Sequence, residues 1–199
     1  MNIKSTIVVL AAMSGAAMGG IVSIDGGLVK DAPGVNDPIQ GFGEANYVQG
    51  FAERTSITLT EDVNIQLGDG SAGTLAAGTV VNSYMVYFDP EGDDLLTVSN
   101  IDIIFDNQIL GLVVSDQAMV DTHALLGLGG LNYYGGIDMN YGPNGAPDIE
   151  LFEGSTLNVS LRASQGDYFR VLTVSNTVPT PGSLALLGVA GLIGTSRRR

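Results

Sequence analysis

Carboxylates are the side chains of this chain that could do chemistry in numbers: 21 Asp and Glu stand against 8 Lys and Arg, with one His and no Cys. Asp89, Glu91, Asp93 and Asp94 supply four hard oxygen donors within one turn-forming stretch, Asp-Pro-Glu-Gly-Asp-Asp, and a structural calcium ion is the cofactor such a set suits. Residues 138–144 offer a second oxygen-rich stretch. Neither has the Gly and Glu offsets of an EF-hand, and both also read as solvated turns whose charges keep strand edges soluble. Asp148 and Glu150 lie on one side of an expected strand, so a carboxylate pair for glycoside hydrolysis is open by count, although solvated charges explain the same residues.

Other reaction classes have less to work with. His123 is the single imidazole, which excludes a multi-histidine metal site; on an expected short helix it reads as a surface or capping side chain. With no Cys there is no thiol nucleophile, and neither a Gly-x-Ser-x-Gly elbow nor a phosphate-cradling Gly-x-x-x-x-Gly-Lys-Ser/Thr loop occurs. Tyr133, Tyr134 and Tyr141, set among glycines, could stack on sugar rings as a carbohydrate-binding surface, or pack over the end of a β-domain.

The elements that must position these residues are strands. Residues 55–60, 63–67 and 156–162 alternate apolar with polar side chains, the last most cleanly, as half-buried strands do. Residues 79–88 are apolar on both faces, with Val81, Met85 and Tyr87 on one side and Tyr84, Val86 and Phe88 on the other, the pattern of a central strand. Residues 95–105, 108–115, 149–152 and 168–174 add further strands, and residues 118–126 a single short helix with Met119 and Leu126 on one face. Residues 20–46 are rich in Gly, Pro and Asp and read as an arm with at most an edge strand. The expected fold class is all-β, an antiparallel β-sandwich of jelly-roll-like form, with a C-terminal transmembrane helix added. The expected division is a signal peptide at 1–17, an arm at 18–46, the sandwich at 47–176 and a sorting tail at 177–199.

The two ends carry an address. Lys4 precedes an apolar run over residues 7–13 and a small-residue exit over 14–17, the layout of a secretory signal that the Sec translocon and signal peptidase would read. At the other end, Val178, Pro179, Thr180 and Pro181 form a stiff extended segment, since each proline fixes its own φ and disfavours helix before it. Residues 182–196 follow without a charge and then Arg197, Arg198 and Arg199. As a helix that run is about 22 Å long at 1.5 Å per residue, a short span with Gly188, Gly191 and Gly194 as a close-approach stripe. The arginines act as a stop-transfer cluster that favours the cytoplasmic side.

Proline motif, apolar run and terminal arginines, in that order, resemble the PEP-CTERM sorting signal of Gram-negative bacteria, with Thr180 where Glu is usual. The resemblance covers about a tenth of the chain. It implies recognition by an exosortase, a membrane-embedded transpeptidase-like cysteine protease, an inner-membrane anchored precursor, and a mature form at the cell surface or in the extracellular matrix, associated with exopolysaccharide. It implies a route and no reaction. The expected function is therefore that of a non-catalytic exported surface or matrix protein, the alternatives being a carbohydrate-binding module using the tyrosine loop and a carboxylate-dependent glycoside hydrolase. Without Lys4 and the terminal arginines, Lys30, Arg54, Arg162 and Arg170 remain against all 21 acidic residues, a net charge near −17. Such a body repels nucleic acid and attracts divalent cations and basic partners.

Overall fold

A computed structural model describes residues 20–32, 45–92, 95–129, 149–163 and 166–176. These fold as strands in two sheets with two short helices. In chain order the elements are β1 (Ile21–Ile24), β2 (Leu28–Val29), β3 (Gln49–Thr58), β4 (Val63–Gln66), β5 (Ala72–Leu75), β6 (Val80–Phe88), β7 (Leu96–Phe105), β8 (Ile109–Val113), α1 (Asp116–Asp121), α2 (His123–Leu126), β9 (Ile149–Glu153), β10 (Thr156–Ala163) and β11 (Asp167–Val174). The small sheet has the order β1-β7-β10-β9 and the large sheet β2-β3-β6-β11-β8-β4-β5. The strand pairings are antiparallel except β2 with β3.

The expected all-β class holds. β10 buries alternate residues, Leu157, Val159 and Leu161, as its sequence pattern predicts, because only one face of the small sheet meets the core. β6 is buried along nearly its whole length. Its Tyr84, Val86 and Phe88 join Ile103, Phe105, Leu157, Val159, Phe169 and Val171 in a core between the sheets. Its Val81, Met85 and Tyr87 join Phe51, Leu59, Met119, Leu126 and Leu172 in a second core on the opposite face. The large sheet is thus covered twice, by the small sheet on one side and by the helices on the other.

Two features depart from expectation, one in the arm and one in the helical segment. Residues 20–32 contribute a strand to each sheet, β1 beside β7 and β2 beside β3, so the chain crosses between sheets at once. Gly27 sits in that crossing because a Cβ there would collide with the Val48 carbonyl and the Ile24 side chain. The expected single helix is two. Thr122 lies between them, and its hydroxyl donates to the Ala118 carbonyl at 2.7 Å, a local bond that competes with helix continuation. Ser115 starts α1 by accepting from the Ala118 amide.

β11, last in sequence, lies at the middle of the large sheet between β6 and β8. The expected membrane helix at 182–196 lies outside the described residues. Among the described residues, no helix is long and apolar enough to cross a membrane.

Candidate functional site

The main buried polar constellation lies where β3, β6 and β11 meet the helices. Arg170 on β11 is surrounded in sequence by Tyr168, Phe169, Val171 and Leu172, so a strand buried on both faces carries a charge in its apolar middle. Its answer is Glu53 on β3. Arg170 Nε donates to Glu53 Oε2 at 2.6 Å and Nη2 donates to Oε1 at 3.0 Å, a two-point pairing of planar groups. Both side chains are 0% exposed. Ser83 on β6 donates its hydroxyl to Glu53 Oε2 at 2.8 Å.

The remaining guanidinium donors turn to the helices. Nη1 reaches Thr122 Oγ1 at 3.0 Å and the Met119 carbonyl at 3.4 Å, and Nη2 lies 3.4 Å from His123 Nδ1. Arg54, the next residue on β3, donates to the Leu125 carbonyl at 2.6 Å, at the C-terminal end of α2 where a cation is favoured. Burial holds the His123 imidazole below its ordinary pKa, and the Arg170 guanidinium pushes it the same way against a partial pull from Glu53. A neutral imidazole whose Nδ1 accepts from Arg170 carries its proton on Nε2.

This corrects the expectation of a surface or capping His123: the ring is half-buried against Arg170, beside a close-packed Gly127 whose Cβ would meet the ring and the His123 carbonyl. The arrangement does not form a nucleophile-base pair. Ser83 gives its proton to Glu53, which is already paired with Arg170, and His123 faces the guanidinium instead of the serine. What it can do is fasten the helices to the sheet through directional bonds.

Of the expected calcium ligands, Asp89 and Glu91 are described, while Asp93 and Asp94 lie outside the described residues. Asp89 follows β6, and its Oδ2 accepts from the Tyr168 hydroxyl at 3.5 Å. Glu91 is exposed, and its amide donates to Asn46 Oδ1 at 3.1 Å, closing the turn onto the segment before β3. Among the described residues no three acidic or imidazole side chains gather closely enough to hold a metal. Behind Asp89, Tyr87 and Tyr168 stack with ring centroids 5.8 Å apart, and the Tyr87 hydroxyl donates to Gln49 Oε1 at 3.1 Å. Burial raises the Tyr168 phenol well above its ordinary pKa, with Asp89 adding to the shift.

Glu150, expected among solvated charges, is buried: Gln66 Nε2 donates to its carbonyl at 3.1 Å, so β9 leans on the β4–β5 hairpin. Its suggested partner Asp148 lies outside the described residues, as do Tyr133, Tyr134 and Tyr141, the motif Val178, Pro179, Thr180 and Pro181, and Arg197, Arg198 and Arg199. Two open grooves flank the same hairpin. One, about 220 Å³, runs between it and β8, with Asn64, Gln66, Ser71, Leu112 and Ser115 on its walls. The other, about 490 Å³, lies over Leu151, Glu153, Thr156 and Asn158 of the small sheet. The charged cluster opens into neither.

No family model, no curated protein and no solved structure matches the chain.

Proposed function

We propose that this chain is an exported, non-catalytic surface or matrix protein of the PEP-CTERM type, sorted through residues 177–199. The observation that carries the reading is the order of features in the tail: Pro179 and Pro181, an uncharged apolar run over 182–196, then Arg197, Arg198 and Arg199, matched at the other end by a leader over 1–17. In this reading the prolines present an extended segment to an exosortase, the apolar run holds the precursor in the inner membrane, and the arginines stop transfer. Exopolysaccharide at the cell surface is the expected surrounding of the mature body.

The body's construction supports the reading without being specific to it. Its described residues are held by packing and by the buried Glu53–Arg170 network, with no disulfide to depend on. The two sheets read further as a jelly-roll-like sandwich, because the chain changes sheet between β1 and β2, β6 and β7, β7 and β8, β8 and β9, and β10 and β11.

The test is replacement of Arg197, Arg198 and Arg199 by Ser in an exosortase-bearing Gram-negative host, followed by cell fractionation and mass spectrometry of the C-terminus. The expected outcome is a mislocalised chain with an uncut tail. Surface display and a C-terminal mass unchanged from the parent overturn the reading.

A further inference from the structure

Both ends of the described body leave it beside one turn, the one joining β7 to β8. The Asp106 amide donates to the Gly20 carbonyl at 3.2 Å, where β1 begins. The Val174 amide donates to the Gln108 carbonyl at 2.9 Å, where β11 ends, and Asn176 Nδ2 donates to Asn107 Oδ1. Three consecutive residues, Asp106, Asn107 and Gln108, therefore touch the first and the last residues of the fold. The turn also ties the two sheets together, since the Ile109 amide donates to the Gly154 carbonyl at 2.8 Å.

The strand register fixes what lies at the opposite end. Phe88 pairs with Asp167 and Leu96 with Ala163, so the turn that follows β6 stands at the far end of the strands from Asp106–Gln108. That far turn carries Asp89 and the exposed Glu91. β7 runs the distance between the two ends, ten residues or about 30 Å at roughly 3.3 Å per residue.

We propose that the turn at residues 106–108 is the membrane-proximal pole of the precursor, and that the turn bearing Asp89 and Glu91 is the pole it displays. This rests on the sorting reading above and assigns a partner to a surface: the bilayer faces residues 106–108. The link from Asn176 to the apolar run is residues 177–181, and the link from the leader's apolar run to Gly20 is residues 14–19. Extended, each reaches at most about 20 Å at ~3.3–3.6 Å per residue, less than the length of β7. Tethers that short leave the far turn outermost, and they are close in length, so neither end has to unravel while both are held. The turn itself is polar and carries Asp106, so anionic headgroups repel it and it hovers near the surface without entering.

The chain has no cysteine, so single cysteines report position cleanly. Gln108→Cys and Glu91→Cys place thiols on exposed side chains at the two poles; Gln108 makes its contact to Val174 through its backbone carbonyl. The full-length chain in spheroplasts of its host is treated with a bulky polyethylene-glycol maleimide. The expected result is that Glu91→Cys labels several-fold faster than Gln108→Cys, and that the two rates converge in detergent or in a chain ended after Thr177. Equal rates on the membrane, or faster labelling of Gln108→Cys, overturn the pole assignment and leave the sorting reading standing. A full-length chain absent from the membrane fraction overturns the sorting reading, and this inference with it.

Discussion

The two faces of the large sheet are built from the same strands and held by different forces. Toward the small sheet, β6 and β11 present Tyr84, Val86, Phe88, Phe169 and Val171, and the neighbours are apolar side chains of β1, β7 and β10. Toward the helices, the same two strands present Met85, Tyr87, Tyr168 and Leu172, but with Ser83 and Arg170 among them and Glu53 alongside. The first face packs two sheets over a wide contact, which non-directional burial secures by area alone. The second must hold helices of 6 and 4 residues, far too short to be stable by themselves. Hydrophobic contact under so small a cap leaves its rotation loosely determined. Bonds from Arg170 to Thr122 and the Met119 carbonyl, and from Arg54 to the Leu125 carbonyl, specify it. Charge is used where area is scarce.

The contrast is broken most forcefully at Glu53. Glu53→Leu strands a buried guanidinium and is expected to cost about 3–5 kcal/mol in urea unfolding, the range for removing one partner of a buried pair. Adding Arg170→Met should recover most of that loss while leaving the helices less well fixed. Hydrogen exchange at residues 116–126 would then rise although global stability returns. If exchange there stays at the parent level in the double variant, the charge network is not what positions the cap. On the other face, Ile103→Val removes one methylene between the sheets and should cost about 0.5–1.5 kcal/mol, with no selective change in exchange over the helices.

The smallest effect is that of pH on His123. Its folded pKa lies below the ordinary 6.5, so the unfolded chain takes up the proton first as pH falls. The stabilisation is present above about 6.5 and is lost as pH falls through the folded value. His123→Gln should flatten that part of the stability profile measured by urea unfolding between neutral and mildly acid pH. An unchanged profile would place the proton uptake elsewhere.

The inner face was the legible one. Alternation over 156–162 and the two-sided apolar pattern over 79–88 translate directly into burial, because side-chain direction along a strand has period two. β5 escaped notice: Ala-Gly-Thr-Leu has weak strand preference, and it is a strand because β4 offers it a partner in a hairpin closed at Asp69 and Gly70. For residues 20–46 the sequence allows at most one edge strand where the structure has two, β1 and β2, because their short apolar runs are set among glycines that serve the crossing between sheets. The charged cluster was invisible as a cluster, since Glu53 and Arg170 are 117 positions apart and nothing local couples them. A trace of it was present. An arginine between Phe169 and Val171, in a run apolar on both faces, demands a buried acid somewhere.

The place of β11 at the middle of the large sheet has a consequence for when the protein can form. Its neighbours β6 and β8 have no pairing with each other, and the β4–β5 hairpin joins the sheet only through β8. Until residues 167–174 emerge, the large sheet is two incomplete fragments, and Glu53 waits for a guanidinium not yet delivered. A polypeptide still lacking β11 therefore has no way to close the large sheet, and the order of synthesis makes that closure wait for the strand at its centre.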